Sequence, residues 1–158
     1  MDTTLVLGII ALAAWLGTVY LRVPPTVMFL SILVGKLFAE ELSDELYGFV
    51  INFLPNIEAK YVQLFLLLIP VALTVLLMKG TTTRSRMLIN GLPLFFSLLT
   101  LALFINPYIN VVNNLEESQR ILLTENESYI VAFAATITLI SAWAPHIKGL
   151  PKHKKHKN

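Results

Sequence analysis

Cysteine is absent from this chain of 158 residues. That excludes a disulfide framework, a thiolate metal site and a cysteine nucleophile. Charge is also scarce, at 14% of residues, where soluble domains carry about 25%. Within the long apolar runs described below no Asp, Glu or His occurs, apart from Glu40 and Glu41 at the end of the 26–42 run and His146 at the end of the last. Intramembrane catalysis and proton-coupled transport use such groups, so the shortage argues against both. Ser31, Ser97 and Ser141 lie in apolar runs without a base at their depth. A serine nucleophile needs one, and a hydroxyl bonded back to its own helix is the expected state. Phosphate-loop, dinucleotide and HExxH motifs are missing as well. An enzyme is not expected, and no cofactor or nucleic-acid partner is implied.

What the chain has is apolar length. It is 56% hydrophobic with a mean hydropathy of +0.71, and the apolar residues are gathered into runs at 3–21, 26–42, 61–78, 87–109 and 129–147. A spanning helix needs about 20 such residues. The expected fold is an all-α membrane protein, a small polytopic bundle of four to five transmembrane helices with amphipathic interfacial segments. The start carries Asp2 and no Lys or Arg, so the first run is expected to be a retained helix and not a cleaved signal. The 26–42 run is the ambiguous one. At ~1.5 Å per residue it reaches about 25 Å, either a full crossing or a re-entrant hairpin with the first helix.

Prolines and polar clusters punctuate the runs. Pro24 and Pro25 break the chain after Arg22. Glu40, Glu41, Asp44 and Glu45 follow, with Ser43 as the expected N-cap of a short helix. In 44–54 the polar positions Glu45, Gly48 and Asn52 share a narrow face, which predicts an interfacial helix lying on the membrane. Pro70, Pro93 and Pro107 fall inside apolar runs, as membrane helices tolerate. A second polar region, 110–128, has a weak amphipathic pattern.

The turn between the third and fourth runs, Lys79-Gly80-Thr81-Thr82-Thr83-Arg84-Ser85-Arg86, contains no acid. Positive charge beside spans stays cytoplasmic. With this turn and the tail inside, Arg22, Lys79, Arg84, Arg86, Lys148, Lys152, Lys154, Lys155 and Lys157 are all cytoplasmic. All ten acids then fall outside. The expected topology places the N-terminus outside and residues 148–158 as a basic cytoplasmic tail, in the inner membrane of a prokaryote. With a re-entrant second run the N-terminus would instead be inside.

Few positions stand out as sites. Lys36 is the one charge well inside a run, and Glu40 lies one turn later; a lysine snorkelling outward beside that glutamate is favoured over an anion contact or a lock against another helix. Ala134, Thr138 and Ala142 make a ridge at i, i+4, i+8 that suits helix packing. The shorter pair Ala13 and Gly17 has the same spacing. Lys152, Lys154, Lys155 and Lys157 are expected to touch anionic lipid, at about 1 kcal/mol per basic residue. His153 and His156 in that cationic tail are a poor metal site. Asn126-Glu127-Ser128 matches the glycosylation sequon, relevant only in a eukaryotic source.

Leu21-Arg22-Val23-Pro24-Pro25-Thr26 followed by Val34-Gly35 resembles the opening helix pair of cation–proton antiporters, where a proline-led helix ends in a glycine-rich stretch. The intramembrane carboxylates of that family are missing here, and the spans are too few for its fold. The size and helix count are similar to those of small bacterial colicin V production-type membrane proteins, with no shared motif. Neither likeness assigns a family. The expected role is a non-enzymatic structural or accessory subunit binding other membrane proteins or lipids, as a homo-oligomer or within a membrane complex. The alternative is an oligomeric channel or carrier for a small solute or ion.

Overall fold

A computed structural model describes residues 12, 15–17, 20, 22–81, 87–109, 117, 121 and 125–147. Among these residues every regular element is a helix. They are α1 (Pro25–Glu41), α2 (Ser43–Val50), α3 (Ala59–Met78), α4 (Met87–Ile109) and α5 (Glu127–Ile147). Leu12, Trp15, Leu16, Gly17 and Tyr20 are also helical. The rest of the 3–21 run, residues 82–86, most of 110–124 and the basic tail lie outside the described residues.

Local chemistry sets the helix ends. Val23 precedes two prolines and is followed by an extended Pro24 (φ −65, ψ 127), with Pro25 at the first position of α1, where its missing N–H costs nothing. Arg22 takes a left-handed φ of 56, an uncommon conformation for a side-chain-bearing residue, and turns the chain into α1. At the other end of α3, Gly80 has φ 78, the usual glycine solution just past a helix end. The Thr81 hydroxyl donates to the Met78 carbonyl at 2.7 Å, so a carbonyl of the last turn is satisfied.

Two expectations at helix ends are corrected. Leu42, not Ser43, is the N-cap of α2, and no side chain caps it. The Ser43 hydroxyl is buried and instead receives a long bond from Gln63 Nε2 at 3.4 Å. Tertiary pairing with α3 has displaced the local cap. Pro145, a residue type expected to stop the last helix, lies inside α5, which reaches Ile147.

Helix α1 is the hub. It packs most extensively on α3 and also meets α4 and α5, while α4 lies along α5. The core is Val23, Met28, Ile32 and Ala39 with Val62, Leu66, Leu67, Val71, Leu94 and Phe104. Helices α1 and α3 are antiparallel, because Gly35 meets Leu67 while Ser43 meets Gln63. An aromatic series, Trp15–Phe95–Phe96–Phe133, links the N-terminal helical residues to α4 and α5 through edge contacts with centroids 4.9 to 6.4 Å apart. Trp15 Nε1 also donates to the Gly91 carbonyl at 2.8 Å. The polar end of that ring is thereby satisfied where its body is apolar.

Among the described residues two helices are long and apolar enough to cross a membrane: Ala59–Met78, with hydropathy 2.4, and Asn90–Ile109, with hydropathy 1.8. They leave most of their surface uncovered, only 22% and 33% of each being buried in the chain.

Candidate functional site

The deepest helix contact is built from small residues on α1. Ser31, Gly35 and Ala39 recur at i, i+4, i+8, and all three are buried. This ridge has the same spacing as Ala134, Thr138 and Ala142, yet sequence reasoning passed over it; the pattern that would have found it is identical. A Cβ placed on Gly35 would fall on the Leu67 carbonyl oxygen and lie 3.2 Å from the Leu67 Cα. The two backbones therefore touch here, as small-residue ridges permit. Pro70 in α3 lacks the N–H that would bond the Leu66 carbonyl, so this contact sits just before a break in the α3 ladder. Gly17, in contrast, has nothing within 4 Å of an added Cβ. Its pairing with Ala13, which lies outside the described residues, makes no close approach at the glycine.

The α5 ridge is turned into the chain itself. Ala134 and Thr138 are buried and Ala142 is half-buried. The Thr138 hydroxyl donates to the Ala134 carbonyl at 2.6 Å, so the ridge carries no spare donor. Other hydroxyls in the helices behave alike. Ser31 bonds Met28, Ser97 bonds Pro93, Thr100 bonds Phe96 and Ser141 bonds Thr138, each to a backbone carbonyl three or four residues back.

Lys36 and Glu40 form the one ion pair inside α1, with Nζ 2.9 Å from Oε1 and both side chains partly exposed. The Lys36 Nζ also lies 5.1 Å from the centroid of the Phe104 ring on α4, in range of a cation–π attraction worth about 0.5–1 kcal/mol when exposed. Lys36 follows Gly35, so its backbone is level with Leu67, well inside the apolar length of α3. Among the described residues no group of His, Asp and Glu is arranged to hold a metal. Lys152, Lys154, Lys155, Lys157, His153 and His156 lie outside the described residues. Asn126 is exposed at the turn before α5, and its carbonyl accepts from the Ile130 N–H.

Comparison with known families, characterised proteins and solved structures returns no match.

The ion pair yields a first expected result. Lys36→Leu is expected to leave expression and assembly unchanged or slightly improved, because the charge lies among apolar residues of α1 and an exposed pair contributes about 0–1 kcal/mol. Comparing detergent-solubilised yield and size-exclusion profile with the parent checks this. A marked loss of assembly with the protein still inserted identifies the pair as an interhelical lock.

Proposed function

We propose that the chain is a multi-pass membrane protein with a non-enzymatic role, a structural or accessory subunit that binds other membrane proteins or lipids. The observation that carries this reading is the uncovered surface of α3. Phe65, Leu73, Leu76 and Leu77 are exposed on a helix of hydropathy 2.4. A helix of that composition in a soluble protein is buried, and an apolar patch of this extent in water is an aggregation liability. Lipid removes the conflict. Helix α3 has 20 residues, which at ~1.5 Å each is about 30 Å, the thickness of the hydrocarbon core. Exposed Tyr20 and Trp143 near one end of the bundle, and Tyr61 near the other, suit the aromatic belts at the two interfaces.

The remaining features are consistent with an accessory role. The hydroxyls of Ser31, Ser97, Thr100 and Thr138 are engaged by their own helices, and the intramembrane charge of Lys36 is paired with Glu40. Helices α1, α3, α4 and α5 then span, with the 3–21 run as the first crossing. On this reading the basic turn and the tail lie in the cytoplasm, the tail against anionic lipid, and the N-terminus outside, in a prokaryotic inner membrane; the segregation of basic residues supports the orientation.

The absence of cysteine makes topology directly testable. Single cysteines at Ser85 and Ser118 are expected to label from opposite sides of the membrane, Ser85 from the cytoplasm. Labelling of both from one side removes the crossing by α4. Partners are read from what co-purifies in native nanodiscs, and an ion flux in proteoliposomes would instead support the channel alternative.

A further inference from the structure

Helix α2 has three faces, and only two are accounted for. Tyr47 and Val50 pack on the core, and the buried Ser43 meets Gln63 of α3. Glu41, Glu45, Gly48 and Asn52 follow each other at helical spacing and are exposed or partly so, with Asn52 Nδ2 bonded to the Gly48 carbonyl at 3.1 Å. The third face is Leu46 and Phe49, continued by Leu42 before the helix and Phe53 in the turn after it, at the same i, i+4, i+7, i+11 spacing. These residues are 37%, 37%, 62% and 70% exposed. The rings of Phe49 and Phe53 meet at a tilt, 5.1 Å between centroids.

We infer that this face is a lipid-docking surface, set at the outer interface and selective for a leaflet of neutral or zwitterionic headgroups. The inference rests on the membrane reading above and adds the depth, the face and the lipid. Depth comes from the Ser43–Gln63 contact. Gln63 is four residues into α3, about 6 Å below its start at ~1.5 Å per residue. That is within the ~5–10 Å by which interfacial helices enter the boundary between headgroups and acyl chains. The exposed apolar face therefore sits where the apolar surface of α3 begins, with Tyr61 at the same level.

Charge selects the lipid. From residue 37 to residue 59 there is no Lys, Arg or His; the flanking Lys36 and Lys60 pair with Glu40 and Glu58, which leaves Glu41, Asp44 and Glu45 as the net charge of the segment. Interfacial helices that seek anionic lipid line the polar face with Lys and Arg. This helix does the reverse, so insertion relies on the apolar face alone, and anionic headgroups repel it. That repulsion is screened over about 10 Å at 0.1 M salt.

The test uses the full chain in nanodiscs, with a nitroxide on single cysteines at Phe49→Cys, Phe53→Cys, Glu45→Cys and Leu73→Cys. Leu73 is an exposed residue of α3 and reports the membrane reading itself. In phosphatidylcholine discs, collisions with oxygen should dominate those with a nickel chelate at 49, 53 and 73, and the order should reverse at 45. In phosphatidylglycerol discs at low salt, 49 and 53 should shift toward the nickel chelate, and added salt should return them. If 73 is lipid-accessible while 49 and 53 favour nickel, the face is in water and the inference fails alone. If 49 and 53 are shielded from both reagents, a protein or a second copy covers the face, which also overturns it. If 73 favours nickel, the membrane reading fails first. A response that ignores lipid charge removes the headgroup selectivity.

Discussion

Replacing Gly35 by alanine is expected to destabilise the bundle more than any other single methyl group added to it. The new Cβ meets the Leu67 carbonyl oxygen and Cα, which are backbone atoms and have no rotamer to change. Helices α1 and α3 must move apart, and overpacking of this kind costs about 1–3 kcal/mol. Because α1 and α3 share the largest contact in the fold, Gly35→Leu is expected to prevent a folded bundle altogether. Truncation of the neighbour offers a sharp control. Leu67→Ala removes a buried side chain but leaves the obstructing carbonyl, so it does not rescue Gly35→Ala. Gly48→Ala is the opposite control. Nothing lies within 4 Å of its added Cβ, and alanine in a helix gains about 0.5–1 kcal/mol over glycine. Thermal unfolding in one detergent, read by tryptophan fluorescence, ranks the variants. Equal midpoints for the parent and Gly35→Ala would show that the helices are not in backbone contact.

The second large effect is expected on α5. Ala134→Leu with Ala142→Leu forces side chains into a surface where Ala134 is fully buried and Thr138 nearly so. The neighbouring Phe133 is held against Phe96 of α4 by an edge contact at 4.9 Å, so α5 has little room to retreat. The double variant still inserts, being more apolar than the parent. It loses about 1–3 kcal/mol of stability, and native electrophoresis should show lost association as a consequence. Leu139→Ala lies on an exposed side and should change stability by at most about 0.5 kcal/mol. If the double variant keeps both its thermal midpoint and its association, the ridge faces lipid.

The two ridges show how far the sequence reaches. Both Ala134-Thr138-Ala142 and Ser31-Gly35-Ala39 are written in the chain at the same spacing, and either is legible as a packing surface. What the spacing does not say is which neighbour each ridge meets. It also does not say how close the backbones come. The same limit appears in α2, where apolar residues occupy two faces. Tyr47 and Val50 turn inward and Phe49 and Phe53 turn outward, and helical spacing, which separates the two faces, does not say which one is covered. Ser43 is the case where local chemistry misled: its residue type suits a cap, but contact with Gln63 took the hydroxyl elsewhere.

By itself the sequence determined where the long helices lie and several of their ends. Apolar length, Pro24 and Pro25, Gly80 and the scarcity of charge act over a few residues, and local sterics and hydrogen bonding resolve them without reference to the fold. The fourth apolar run, 87–109, coincides with α4 for that reason. Tertiary structure alone decided that α1 is the hub, that Gly35 touches the α3 backbone, and that the α5 ridge is turned into the chain. The physical reason lies in the composition. On the proposed membrane reading, a leucine facing lipid and a leucine facing another helix gain almost the same transfer free energy. Burial is then chosen by shape, by where a missing Cβ lets two backbones meet, and shape exists only once the helices are together.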